Sequence, residues 1–89
     1  MNALPLLAEF FGTFLLLISI FATGNAFVIG GTLAGIILLI GGISGAHVNP
    51  AVSLAMLVKG AITAGEFGGY IVAQYVGGVA AYYAYNALA

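Results

Sequence analysis

The sequence predicts an all-α membrane protein of three spanning helices and one re-entrant half-helix. Composition is the first reason. Of 89 residues, 64% are apolar and only 3% are charged, whereas a soluble domain carries about 25% charged residues. Segment length is the second. Three apolar runs are long enough to cross a ~30 Å hydrocarbon core, and a fourth is not. The third reason is the stretch before that short run, Gly45-Ala46-His47-Val48-Asn49-Pro50, which carries its own helix-start signal.

The first span covers residues 4–22, with Pro5 in the first turn, where its missing N–H costs nothing. Thr23-Gly24-Asn25 reads as a turn. The second span, residues 27–43, is at the short limit for crossing and is rich in Gly30, Gly31, Gly35, Gly41 and Gly42. Gly31-x-x-x-Gly35 and Gly41-x-x-x-Gly45 have the spacing that lets membrane helices approach closely. From Gly41 to Val48 the backbone is expected to leave the helix and run extended from Gly45. Asn49 is a strong N-cap and Pro50 fits the first helical position. The half-helix over 50–58 is then about 13 Å long, under half of the core.

Lys59-Gly60-Ala61-Ile62-Thr63 closes the half-helix, and the third span covers 64–87. Glu66 lies in its first turn, where the helix dipole favours an anion. Tyr82, Tyr83 and Tyr85 near its far end suit an interfacial aromatic belt. Two spans return the chain to its starting side, the 45–58 excursion dips in and comes back, and the third span ends on the opposite side. A half-helix that begins inside a membrane aims its positive end at a substrate path. Residues 1–89 read as one unit, without linker, low-complexity stretch or internal repeat. The first run lacks the basic flank of a signal peptide and exceeds an h-region in length.

Several function classes are disfavoured. A net charge of −1 offers no basic patch for nucleic acid. Without cysteine there is no thiol chemistry, and His47 alone does not make a metal site. No nucleophile–base pair is visible, so neither an enzyme nor a cofactor is expected. The glycines of the second span are not a phosphate loop, because no Lys-Ser or Lys-Thr follows and no strand precedes them.

Three blocks together resemble the aquaporin and glycerol-facilitator, or major intrinsic protein, family. They are Ala8-Glu9-Phe10-Phe11-Gly12-Thr13-Phe14, then Gly45-x-His47-x-Asn49-Pro50-Ala51, then Gly69-Tyr70-Ile71-Val72-Ala73-Gln74 with Gly77-Gly78. The resemblance covers nearly the whole chain. The family normally carries two such repeats, and this sequence resembles the first. The resemblance implies half of an aquaporin-like fold and a passive channel for water and small neutral solutes such as glycerol.

Asn49 is the central candidate. As a cap it uses its oxygen on the backbone, which leaves its NH₂ free to meet a passing oxygen; the plainer reading is a cap alone. Gly45, Ala46, His47 and Val48 precede it, and their carbonyls must be buried in protein or line a wet path. The resemblance implies a ladder of acceptors along a pore, with Pro50, Ala51 and Val52 at its end. His47 either locks this loop or gates the pore. Glu9 is an intramembrane carboxylate that needs partners. The resemblance implies that Glu9 and Gln74 support the loop; the alternative for each is a helix–helix hydrogen bond, and a proton-carrier role for Glu9 lacks a second titratable group. Family second repeats carry arginine where this chain has Val52, and the chain has no arginine. Counting back from Asn49 places the family's filter position at Ile29.

One copy cannot complete such a pore. The expected partners are the lipid bilayer and an inverted second copy of the same chain, an antiparallel homodimer, with four such pores as an octamer by family analogy. Two other classes remain open: a non-conducting half-channel that needs a different partner half, and a small lytic or architectural membrane protein.

Overall fold

The computed structural model describes residues 2–89 and is all-helical, without a strand among the described residues. The helices are α1 (Leu4–Thr23), α2 (Ala26–Ser44), α3 (Pro50–Lys59) and α4 (Ala64–Leu88). Local chemistry sets each boundary. Gly24 takes a left-handed φ of 57° to end α1, and its amide reaches the Ile20 carbonyl. Asn25 then caps α2 by accepting from the amides of Phe27 (2.9 Å) and Val28 (3.1 Å). Asn49 caps α3 through the Ala51 amide at 2.7 Å, with Pro50 opening the helix. Gly60 ends α3 at φ 86°. Thr63 and Glu66 form a reciprocal capping box at the start of α4, 2.8 and 3.1 Å.

Helix α1 is the centre of the assembly. Helices α2 and α4 each pack on α1, and α3 packs on α4. Contacts give the directions. Phe21 meets Tyr82 and Tyr85 while Leu6 lies against Gly69, so α1 and α4 run parallel. Glu9 meets Ser44 while Gly12 lies against Ile36 and Ile40, so α2 runs antiparallel to α1. A small apolar core of Ile36, Ala46 and Val48, backed by Leu16, Leu33 and Ile40, joins α1, α2 and the 45–49 loop.

Two helices are long and apolar enough to cross a membrane, α1 with 20 residues and α2 with 19. Helix α4 is longer, 25 residues or about 37 Å, but is diluted by Glu66, Gln74 and its tyrosines. Large apolar side chains stand on the outside, including Phe27 at 90% and Leu38 at 86% exposure. Water would not tolerate such a surface on a monomer, whereas lipid or a protein partner would.

Three sequence expectations are corrected. Helix α2 does not end near Gly41 but continues to Ser44, because glycine weakens a helix without breaking it and the Gly45 amide still closes on the Gly41 carbonyl at 3.0 Å. The loop that follows is not extended: Gly45, Ala46 and Val48 have φ of 87°, 50° and 44°. The close helix approaches also lie elsewhere. A Cβ added at Gly31 or Gly35 would meet nothing within 4 Å, and one at Gly41 only Ile37 of its own helix. The glycines that permit packing inside the chain are Gly12, Gly69 and Gly77; a Cβ at Gly77 would fall 2.5 Å from the Phe10 carbonyl oxygen.

Candidate functional site: a carboxylate clamp behind a half-helix

Glu9 is completely buried on α1, at the level where the 45–49 loop passes. Burying a carboxylate is costly unless its oxygens are satisfied. Here four donors converge on it. Oε2 accepts from the Ser44 hydroxyl (2.6 Å) and the His47 amide (3.0 Å). Oε1 accepts from the Val48 amide (2.8 Å) and Gln74 Nε2 (2.9 Å). These fill the acceptor capacity of the group. Among the described residues no cation neutralises it; Lys59 is exposed at the far end of α3.

Further bonds extend the clamp. Gln74 Nε2 also donates to Ser53 Oγ at 2.9 Å, and Ser53 Oγ lies 2.8 Å from His47 Nδ1. Ser53 Oγ can accept from both side chains or donate to His47 Nδ1, so the direction of that bond follows the imidazole tautomer. The Tyr70 hydroxyl donates to the Ser44 carbonyl at 2.7 Å, and its ring lies 4.9 Å from that of His47. Glu9, Ser44, His47, Ser53, Tyr70 and Gln74 thus tie together all four helices and the loop.

The clamp divides the loop's polar groups into held amides and unpartnered carbonyls. The amides of Gly45, Ala46, His47 and Val48 are all held, by the Gly41 carbonyl, the Ser44 hydroxyl and the two oxygens of Glu9. Among the described residues, no hydrogen bond ends on the carbonyl oxygens of these four residues. Asn49 likewise spends its oxygen on the Ala51 amide, and among the described residues its NH₂ and the Val52 amide have no partner. Positive φ at Val48 is unusual for a β-branched residue. The held amides supply what opposes that strain. Asn49 and Pro50 head a groove of about 520 Å³ between α1 and α4, with Thr13 and Gln74 among its lining residues.

With this geometry in view, the comparisons with known proteins are decisive. The family profile for "Major intrinsic protein" matches residues 22–88. The chain belongs to the major intrinsic protein family. It is 42% identical over 86 residues to Glycerol uptake facilitator protein-like 6 of Lactiplantibacillus plantarum, covering 84% of this chain and 39% of that protein. It is 40% identical over 89 residues to Aquaporin Z of Brucella melitensis biotype 1, covering 83% of this chain and again 39% of that protein. The chain thus spans about two fifths of the length of these curated relatives. No solved structure matches it significantly.

Within this major intrinsic protein chain, the structure gathers Glu9, Gly45, Ala46, His47, Val48, Asn49, Pro50 and Gln74 around one loop, with Ala51 and Val52 in the first turn of α3. Ile29 stands apart, half-buried near the start of α2 and about 22 Å along the axis from Ser44. Ser44, Ser53 and Tyr70 belong to the clamp although the sequence assigns none of them a site role, Tyr70 standing unremarked inside the third motif block. A spacing signal existed for two of them. Ser53 follows Asn49 by four residues and Tyr70 precedes Gln74 by four, so each shares a helix face with a singled-out residue.

Proposed function

We propose that the chain is one half of a passive water channel, assembled from inverted copies, with small neutral solutes such as glycerol also passing. In this reading residues 1–89 form a single unit and a multi-pass membrane protein. Helices α1, α2 and α4 cross the bilayer, and α3 is a half-helix that reaches the midplane. The observation that carries it is the bonding of the loop: among the described residues four carbonyls lack partners beside the free NH₂ of Asn49, while the amides of residues 45–48 are all held. In hydrocarbon each unpaired carbonyl costs several kcal/mol. Facing a file of water, the same carbonyls are satisfied and act as acceptors, and Asn49 acts as a donor.

A second half-helix from the opposite face completes the path, as in other membrane proteins built from inverted repeats. Each N-terminus carries about +0.5 charge. At ~5 Å and an effective dielectric of about 20, two of them repel a cation by roughly 3 kcal/mol. That disfavours cations about a hundredfold, and dehydration in a narrow passage adds the rest. Four such pores forming an octamer is the corresponding assembly. A second reading, a half-channel completed by a different and arginine-bearing half, is favoured by the 39% coverage of the relatives.

Osmotic shrinkage of vesicles holding only this chain tests the proposal. The expected result is water flux without leak of ions or dye. Glycerol should accompany it, because Val52 leaves the passage without a fixed cationic donor. Dye leak would instead mark a lytic protein. Absence of flux from inserted chains would leave the half-channel that needs another partner.

A further inference from the structure

Two buried polar atoms lack a partner among the described residues, Thr13 Oγ1 and Gln74 Oε1. Their residues are 5% and 2% exposed, and both line the groove between α1 and α4. Thr13 is the exception among the hydroxyls of α1 and α2. Ser19, Thr23 and Thr32 turn back onto carbonyls of their own helices at 2.6, 2.7 and 2.8 Å, and Ser44 donates to Glu9. The Gln74 amide is fixed from its nitrogen end. Its Nε2 donates to Glu9 and Ser53, and an exchange of N and O would set an oxygen against the Glu9 carboxylate. Thr13 stands one turn beyond Glu9 on the same face of α1, so the two unpartnered atoms belong to one neighbourhood.

The walls around them, with Leu16, Leu17 and Val79, are apolar. A hydrocarbon chain lying there brings no hydrogen-bond donor, and an unpaired buried acceptor is expensive. Gln74 Oε1 asks for a donor, whereas the Thr13 hydroxyl either donates or accepts. One water molecule meets both requirements. A buried water needs at least a pair of such partners and about 30 Å³ of space, and the groove encloses about 520 Å³.

We propose that Thr13 and Gln74 hold one resident water beside the half-helix, distinct from any that passes along the loop carbonyls. It donates to Gln74 Oε1 and bonds the Thr13 hydroxyl. It thereby anchors the far end of the amide whose Nε2 bridges Glu9 and Ser53. Thr13 is then a positioning residue that acts on the clamp through this water. The site is built from atoms of a single chain and stands whether or not the chain conducts.

Gln74 is the only glutamine in the sequence, so an isotopic label at its Cδ carbonyl carbon reports this site alone. Solid-state NMR of the whole chain in lipid vesicles, with magnetisation started on water protons, should show rapid transfer to that carbon. Thr13→Val keeps the side chain's shape and removes the hydroxyl. It should abolish the transfer and move the Cδ resonance upfield as the hydrogen bond is lost, whereas Thr13→Ser should keep both signals. Absence of transfer in the unaltered chain would overturn the site, however the variants behave. Transfer that persists in Thr13→Val would overturn the role of Thr13. Osmotic shrinkage of the same vesicles separates this site from the channel: transfer in vesicles that pass no water would uphold the site and count against conduction alone.

Discussion

Glu9→Gln is expected to remove at least nine tenths of the water flux per inserted chain while leaving the helices formed. Gln has the same shape, so the packing of α1 is kept. One of its two terminal atoms becomes a donor, however. Whichever way the amide settles, its nitrogen faces two of the four donors, either the Val48 amide with Gln74 Nε2 or the Ser44 hydroxyl with the His47 amide. Each buried donor left without an acceptor costs about 1–3 kcal/mol. The loop already carries positive φ at Ala46 and Val48, and strain of that kind is itself of order 1–3 kcal/mol per residue. Without the carboxylate the loop should relax, and its unpartnered carbonyls should lose their fixed positions. Vesicle shrinkage and far-ultraviolet circular dichroism measure the two halves of this expectation. Full flux in Glu9→Gln would mean that the clamp is not what shapes the passage.

Substitution of Asn49 should have an effect of similar size by a different route, and two variants separate its roles. Asn49→Leu loses the cap, about 1 kcal/mol of half-helix stability, together with the free NH₂. Asn49→Asp keeps an oxygen for the Ala51 amide and so keeps the cap, but replaces the neutral donor with an anion. Both should lose most water flux, and only Asn49→Leu should also lower the thermal stability of the inserted protein. Normal flux through Asn49→Leu that is correctly inserted would contradict the pore assignment.

Much of this arrangement is legible before any coordinates, and the reason is the range of the forces involved. Gly24-Asn25, Asn49-Pro50 and Gly60 act within a few residues of themselves, and the helix boundaries they imply agree with the structure to within one residue. The Thr63-x-x-Glu66 capping box is equally local, and a reading of Glu66 through the helix dipole alone passes over half of it. The left-handed turns at Ala46 and Val48 are different. They accompany the bonds from the His47 and Val48 amides to Glu9, at sequence separations of 38 and 39. No local preference announces them, and valine disfavours that conformation. The glycines fail for a related reason. Spacing marks Gly31 and Gly35 as contact positions, but which glycines are used depends on which helices become neighbours. Because α1 is the only helix along which α2 packs, the face bearing Gly31 and Gly35 stays open, while Gly77 on α4 lets that helix sit against the α1 backbone.

Orientation in the bilayer provides the most direct test of the central claim, that inverted copies of one sequence form the channel. Lysine and arginine near span ends set topology, and acidic residues count for little. Here Lys59 is the only such side chain, so a weak bias should let the chain insert both ways. Two or three lysines added near Gly24 and Asn25 should drive one orientation, and the same number near Lys59 the other. Each variant reconstituted alone should lose water flux, and the two together should recover it. Normal flux from either fixed-orientation variant on its own would contradict the inverted pair.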